Sequence, residues 1–420
     1  MDLLDDLTYR DYVYQVTDLD ALTERLSKGP TTLYAGFDPT ADSLHVGNLI
    51  PVLGLRRFQL AGHRPIALIG GGTGLIGDPS GKVEERTLNT PEVVASYTES
   101  QAKQLQRFLD FDDGPNAAIA VSNHTWLSEL KTIEFLRDVG KHFSMGYMLA
   151  KESVASRLEA GISFTEFSYM VLQAYDFYEL IQTHDCELQI GGSDQWGNIT
   201  AGIELIRRKL ERQAFGLTFP LLEKSDGTKF GKSESGTVWL DPEKTTPYQF
   251  YQFWINADDA DVVRFLKFFT FLTREEIESL ATELQERPEK REAQRVLARE
   301  VTTLVHDKAA TERAEHISQA LFYGNLGELS EQEIEEGFSD VPSFEVKGQP
   351  EMGLIDLLTT AGVAGSKRQA REDVKNGAIY INGERDTDLA RSFKASDGLC
   401  GKYLVIRRGK QKYTLVKWMA

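Results

Sequence analysis

The sequence predicts an α/β protein: a doubly wound parallel sheet, then an α-helical domain and a small basic α+β module. Three observations lead there. Residues 31 to 220 alternate short β-rich runs with helical patterns, residues 247 to 322 turn helical and charged, and residues 351 to 420 carry a basic helix followed by strands. The expected boundaries are 1–223 for the sheet domain, 224–323 for a mobile loop and the helical domain, 324–350 for a linker, and 351–420 for the basic module.

The first strand reads in TTLYAGF, a helix follows from about Leu44 to Ala61, and further strands read in RPIALIGG and AAIAVSNH. Strand, Gly-rich turn, helix and strand in this rhythm give a Rossmann-like parallel sheet covered by helices. The helix Phe164 to Ile181 carries Tyr169, Gln173 and Asp176 at i, i+4 and i+7, within about 60° of one another. Opposite lie Phe167, Val171, Ala174, Tyr178 and Ile181, the core face. The polar stripe is either a solvated face or the lining of a polar ligand site. Next comes the helical run TREEIESLATELQERPEKREAQRVLAREV, and then the acidic stretch Gly324 to Pro350, whose scattered Gly and Pro and weak periodicity read as a linker. In AGVAGSKRQAREDVKNGAIYINGE, Gly377 is a good residue to end a helix, Ile379 to Ile381 form a strand, and Asn382-Gly383 make a hairpin turn.

Composition bounds the function. With 420 residues, 41% hydrophobic and 26% charged, the chain is long enough for two or three ordinary globular domains. No apolar run approaches the roughly 20 residues of a membrane span, and the acidic start MDLLDDLTYRDY is unlike a leader. Cys186 and Cys400 stand alone, which excludes a Cys-rich zinc site and leads us to expect a cytoplasmic protein. The net charge of -17 divides unevenly: residues 351 to 420 hold 13 Lys/Arg against 8 Asp/Glu, or +5, and the remainder stands at -22. An acidic body with a basic tail suggests that the tail meets a polyanion.

In a doubly wound sheet, ligands bind outside the carboxyl ends of the strands. The stretch YAGFDPTADSLHVGNL leads from strand to helix there. His45 and Gly47 at a helix start suit a phosphate, since unpaired backbone N–H groups face it. The alternative is a helix capped by Ser43 with an incidental His. A second stretch, SDGTKFGKSESG, sets Lys229 and Lys232 among Gly227, Gly231 and Gly236. It is either an ordinary turn or a loop that closes over a polyphosphate. Together, HVGN and KFGKS resemble the HIGH and KMSKS signatures of class I aminoacyl-tRNA synthetases in order and spacing. Asn48 stands in place of the final His, and Phe230-Gly231 in place of Met-Ser.

With YAGFDPT, GGTGLIGDPSGK, SYMVLQAYDF and QIGGSDQWGN, the chain resembles the bacterial-type tyrosyl-tRNA synthetases over essentially its whole length. The GK of the second motif does not make a Walker A loop, because Ile76 and Val83 stand where Gly and Ser/Thr are required. The resemblance implies a tyrosine–tRNA ligase that forms tyrosyl-adenylate from L-tyrosine and ATP, releases pyrophosphate, and passes the tyrosyl group to the terminal adenosine of tRNA(Tyr). It implies that Tyr34 and Asp176 bind the phenolic hydroxyl, that Asp78, Tyr169 and Gln173 hold the ammonium, and that Gln195 lies near the carboxylate. Gly36, Asp38, His45, Gly47, Asn48, Gly192, Asp194 and Lys232 are implied for ATP, with Asp194 on the ribose. Thr40 and His45 would reach the γ-phosphate side, with Lys229 and Lys232 closing from the loop. Lys82 and Arg86 are either pyrophosphate ligands or two surface cations. Mg²⁺ is expected with ATP, without a dedicated metal cage, and the resemblance also implies a homodimer.

Lys367, Arg368, Arg371 and Lys375 fall within about 100° of helix surface. Basic helix, tight turn and strand resemble an S-four-like RNA-binding module, to which Arg407, Arg408, Lys410 and Lys412 add charge near a second hairpin. Two other readings are weighed. The sister tryptophan enzyme or a small nucleotidylyltransferase is disfavoured by Tyr34 with Asp176 and by the basic module. A non-catalytic RNA-binding relative is disfavoured because His45, Gly47 and Lys232 are all present.

Overall fold

The computed structural model describes residues 2–81, 88–158, 161–228, 230–233, 236–409 and 412–419. They divide into two compact units, one of residues 1–244 with 256–301 and the other of residues 245–255 with 302–420. The helical segment expected as one domain is therefore shared between the two.

The first unit is built on a six-stranded sheet of β1 (Gln15–Val16), β2 (Thr32–Phe37), β3 (Arg64–Ile69), β4 (Ile119–Ser122), β5 (Cys186–Gly192) and β6 (Phe215–Phe219). The spatial order is β1-β6-β5-β2-β3-β4. Every pair is parallel except β1 with β6, where Tyr14 to Thr17 add a short antiparallel edge. The strand order reverses between β2 and β5, the place where a doubly wound sheet opens a ligand crevice. Central strands covered on both faces read as unbroken apolar runs; Leu33, Ile66, Leu188 and Leu217 are fully buried accordingly.

Helices α1 (Leu49–Leu60), α2 (Pro91–Leu105), α3 (Phe164–His184) and α4 (Trp196–Leu210) accompany this sheet. Helix α3 starts where the Ser163 hydroxyl accepts the Glu166 N–H, and it ends in left-handed Asp185 at φ 53°. Of the expected core face, Phe167, Val171, Ala174 and Ile181 are buried, while Tyr178 is half-buried with Lys209 over its ring. Tyr169 and Asp176 on the polar stripe are buried too, so the stripe is no solvated face.

A strand pair, β7 (Lys232–Ser233) with β8 (Gly236–Thr237), leads towards α5 (Pro247–Ile255), which lies in the second unit. Helix α6 (Asp259–Phe269) belongs to the first unit. Its carboxyl end leaves carbonyls without helical partners. Arg10 donates to the carbonyls of Lys267, Thr270 and Leu272, and Arg57 of α1 donates to that of Thr270. These bonds fasten α6 beside the sheet.

The second unit holds α5, α7 (Lys308–Tyr323), α8 (Glu331–Gly337), α9 (Leu354–Thr360) and α10 (Lys367–Lys375). Its strands are β9 (Ser343–Val346), β10 (Glu351–Gly353), β11 (Ile379–Ile381), β12 (Glu384–Arg385), β13 (Ser392–Lys394), β14 (Tyr403–Arg408) and β15 (Lys412–Trp418). Five of them form a sheet in the order β12-β11-β14-β15-β9. The expected hairpin turn forms, with Asn382 and Gly383 at φ 50° and 92°, the two positive values of a type I′ turn.

The linker expected over 324–350 is corrected by this unit. Helix α8 and strand β9 occupy it, and Leu326, Leu329, Ile334 and Phe338 are buried against Ile317, Tyr403, Val405 and Leu415. Strand β9 pairs in parallel with β15, from Leu415↔Ser343 to Trp418↔Val346. The partners lie up to about seventy residues away in sequence, so local periodicity could not register them. One local sign was present: Ser330 and Glu333 form a reciprocal capping box at the start of α8. No helix among the described residues is long and apolar enough to cross a membrane.

Candidate active site

The crevice floor lies between β2 and β5. Tyr34 of β2 and Gln189 of β5 are Cα partners across the parallel pair, so both side chains emerge on one face. Tyr34 Oη, Gln189 Oε1 and, from α3, Gln173 Oε1 are buried without a hydrogen-bond partner among the described residues. Buried polar atoms left unpaired each cost about 1–3 kcal/mol, so three in one crevice point to a polar ligand. Asp176, 1% exposed, stands with them. Its carboxylate accepts the Asn123 Nδ2–H at 2.9 Å and the Trp126 indole N–H at 2.8 Å. Burial pushes the Asp176 carboxyl up to about 8 against the pull of these two donors. Burial, and then the Asp176 charge, raises the Tyr34 phenol well above its ordinary value.

Towards the opening, the Asp38 carboxylate accepts the Tyr169 phenol O–H at 2.8 Å and the Thr73 hydroxyl at 2.7 Å. Burial, followed by the charges of Asp38 and Asp78, raises the Tyr169 phenol far above its usual range. Asp38 thus sits at the Tyr169 end of the crevice. Gly70 has no room for a side chain, since a Cβ there would lie 2.0 Å from Asp38 Oδ1. Asp78 accepts from the Ser80 N–H and from Gln195 Nε2 at 2.7 Å, and Gln195 Oε1 in turn accepts from Asn198. Burial, then the nearby Asp78 charge, raises Asp194. A Cβ on Gly192 would meet Asp194 Oδ1 at 2.5 Å, and the exposed Leu221 lies beside it. Asp78, Asp176 and Asp194 have no Lys or Arg ion-pair partner among the described residues. A crevice lined by carboxylates that have hydrogen-bond donors but no cationic partner suits a cationic or hydroxyl-bearing ligand.

The helix entry at His45 is decided by a cap. His45 Nδ1 accepts the Gly47 N–H at 3.0 Å, and Asn48 Oδ1 accepts the His45 N–H at 3.0 Å. The alternative of a Ser43 cap is excluded, because the Ser43 hydroxyl donates to the Leu44 carbonyl and accepts from Gln104. With Nδ1 accepting, the neutral imidazole carries its proton on Nε2, where it is a donor. A Cβ on Gly47 would stand 2.8 Å from the imidazole, so glycine is required for this cap. Thr40 and Gly36 are exposed along the same edge.

The two signature stretches meet. The Val46 N–H bonds the Val238 carbonyl, the Leu240 N–H bonds the Leu44 carbonyl, and Trp239 bridges His45 between them. Gly231, at φ 87°, approaches Val46 so closely that a Cβ would lie 3.1 Å from it. Phe230 stacks on Phe269 of α6 at 5.1 Å and 15° and also contacts Phe265. Lys82, Arg86 and Lys229 lie outside the described residues, and so does the Lys232 side chain, although its backbone is in β7.

Asn123, Trp126, Thr73, Gln189 and Gly70 belong to this site and were not read from the sequence. Signals existed for two of them: Asn123 follows directly on the carboxyl end of β4, and Gln189 is a lone amide in the buried strand CELQIGG. In the basic module, Lys367 pairs with Asp356 at 2.5 Å and Arg408 with Asp373 at 2.9 Å, so both are tied within the fold. Arg407 covers the Tyr380 ring at 4.0 Å. Arg368, Arg371 and Lys375 are exposed along one stripe of α10, without an ion-pair partner among the described residues. Lys412 is exposed and Lys410 lies outside the described residues.

Comparison with known proteins places these features in context. The profile of the tRNA synthetases class I (W and Y) matches residues 26–323, and that of the tyrosine–tRNA ligase SYY-like C-terminal domain matches residues 333–416. The tyrosine–tRNA ligase of Geobacillus stearothermophilus is 61% identical over 419 residues, 100% of each chain. That of Bacillus velezensis is 59% identical over 418 residues, 99% of each chain. The crystal structure of a C-terminally truncated Aspergillus nidulans mitochondrial tyrosyl-tRNA synthetase superposes with a TM-score of 0.69 at 30% identity, covering 76% of this chain and 94% of that one.

The raised Asp176 makes a stability prediction. The folded chain holds a proton there that the unfolded chain releases near pH 4, so this group's contribution to stability falls as pH rises from about 4 to 8. Asp176→Asn removes that dependence. In ligand-free urea unfolding, the variant gains on the parent chain by about 1 kcal/mol or more between pH 5 and pH 8; a constant difference across that window contradicts the assignment.

Proposed function

This chain belongs to the tyrosine–tRNA ligases of class I, and we propose that the crevice between β2 and β5 activates tyrosine through the residues assigned below. The reaction joins tyrosine to ATP as tyrosyl-adenylate with loss of pyrophosphate, then moves the tyrosyl group to the terminal adenosine of tRNA(Tyr). The observation that carries the assignment is the buried Tyr34 hydroxyl, unpartnered and within the field of the buried Asp176 carboxyl. A substrate phenol completes both. Phenylalanine leaves them buried and unpaired, which is the physical basis for its rejection.

The substrate ammonium goes to the acidic end, among Asp78, Tyr169 and Gln173, and its carboxylate lies near Gln195. The tyrosine carboxylate oxygen then attacks the α-phosphorus in line, and the bond to the bridging oxygen of pyrophosphate breaks. No side chain is needed as a nucleophile, so catalysis consists of orientation and stabilisation of phosphate charge. His45 contributes its Nε2 donor, held by the Gly47 cap; Thr40, Lys82, Arg86, Lys229 and Lys232 contribute further donors and charge. Gly36, Gly47 and Gly192 let backbone and nucleotide approach, Asn48 holds His45, and Asp38 and Asp194 border the adenosine. Mg²⁺ is assigned to the nucleotide, as is usual for phosphate-bound magnesium. Among the described residues no group of three His, Cys, Asp or Glu is placed to hold a metal ion. In the second step the ribose 2′-hydroxyl takes the tyrosyl group and adenylate leaves.

Tyr34→Phe should lower discrimination between tyrosine and phenylalanine by about tenfold or more in pyrophosphate exchange, because one buried hydrogen bond is lost. Unchanged discrimination would overturn the pocket assignment.

For tRNA we assign the exposed stripe Arg368, Arg371 and Lys375, which sits on the one part of the chain with net positive charge. Replacing all three with Ala should leave pyrophosphate exchange intact, weaken tRNA binding, and reduce the salt dependence of that binding by roughly two counterions. An unaltered salt slope would remove these residues from the interface.

We also assign a cytoplasmic homodimer. Ile133, Leu136, Met145, Leu149 and Phe164 are all exposed within one short stretch, over the buried cluster of Val139, Met148, Phe167 and Met170. So much exposed apolar side chain in one region marks an interface, and a second copy of this chain is the occupant proposed. Phe164→Asp should sediment as a monomer at micromolar concentration; a persistent dimer would move the interface elsewhere.

A further inference from the structure

We propose that Thr73 is a positioning residue that orients the ammonium-binding end of the crevice and links it to the phenol end. The inference rests on the reading that Tyr169 meets the substrate ammonium. Thr73 lies in the turn after β3, inside the stretch GGTGLIGDPSGK, and the resemblance assigns it no role. Its hydroxyl donates to Asp38 Oδ1 at 2.7 Å and accepts from Asn123 Nδ2 at 2.9 Å. Asn123 Nδ2 also donates to Asp176 Oδ2 at 2.9 Å, and Tyr169 Oη donates to Asp38 Oδ2 at 2.8 Å. One chain of hydrogen bonds thus runs from Asp176 through Asn123, Thr73 and Asp38 to Tyr169.

Donor counting fixes the direction of every bond in it. Asn123 Oδ1 accepts the Gly72 N–H at 2.7 Å and faces that of Thr73 at 3.4 Å, so its NH₂ group must point to Asp176 and Thr73. Thr73, having received one of those hydrogens, has a single proton, and it goes to Asp38. The Asp38 carboxylate only accepts, so Tyr169 spends its own proton there and turns an oxygen lone pair to the crevice. That is the polarity an ammonium needs. The space is reserved for this pair: a Cβ on Gly70 would lie 2.0 Å from Asp38 Oδ1 and 2.5 Å from Thr73 Oγ1.

The test compares two ligands on purified full-length protein by titration calorimetry: tyrosine, and 3-(4-hydroxyphenyl)propionate, which keeps the phenol and carboxylate but lacks the ammonium. Thr73→Val, or Thr73→Ala should the valine variant not fold, is expected to weaken tyrosine about tenfold to a hundredfold while changing the analogue less than about twofold. Thr73→Ser restores tyrosine binding. Equal losses for both ligands would reduce Thr73 to a structural role and overturn the inference, as would wild-type tyrosine affinity in Thr73→Val. If the parent chain itself binds the two ligands equally, the ammonium assignment fails, and the inference with it.

Discussion

Burying the Asp176 carboxylate beneath the switch point of the sheet is the constraint around which the catalytic unit is arranged. A carboxylate in that position has no lysine or arginine to neutralise it, and isolated buried charge is costly. Asn123 and Trp126 come from the carboxyl end of β4 and the turn beyond it, and their N–H groups compensate part of that cost. Burial still holds the group well above an ordinary carboxyl. Strand order makes the arrangement possible: β2 and β5 must be neighbours for Tyr34 and Gln189 to stand side by side, and β3 and β4 must follow β2 for Thr73 and Asn123 to reach behind them. The site is therefore a property of the sheet's topology as much as of its side chains.

Glycine is the second constraint. Gly70, Gly47 and Gly192 sit where a Cβ would strike Asp38, His45 and Asp194 respectively. Each gives up side-chain contacts so that a neighbouring polar group can keep one orientation, which is how a crevice becomes pre-organised. The Phe230 stack on Phe269 plays a corresponding part for the second signature stretch. Helix α6 is fastened by Arg10 and Arg57, Phe230 rests on α6, and Gly231 then approaches the His45 turn.

The basic module shows why charge counting alone overstates an interface. Four of its cations were expected on one helix, and Arg407 and Arg408 near a second hairpin, yet Lys367 and Arg408 are consumed by Asp356 and Asp373 within the fold. What remains exposed on the helix is a narrower stripe of three. The same unit absorbs residues 324–350, because Ile334, Phe338 and β9 find their partners in α7, β14 and β15. Its acidic, irregular sequence reads as a linker only while those distant partners are out of view.

What the sequence determined by itself is the chemistry that is local. Strand, Gly-rich turn and helix recur with a short period, so the parallel sheet was legible. HVGN, KFGKS and the Tyr169, Gln173, Asp176 stripe each lie within a few turns of chain, so the residue types a nucleotide and a polar amino acid require were legible too. Tertiary structure decided the rest. Whether the stripe faces water or a pocket depends on what packs over α3, and the capping role of His45 depends on backbone angles that Ser43 could equally have served. The participation of Thr73, Asn123 and Gln189 depends on strand neighbours far apart in sequence. Hydrogen bonds reach about 3 Å, and residues more than a hundred positions apart come that close only after the sheet has chosen its order.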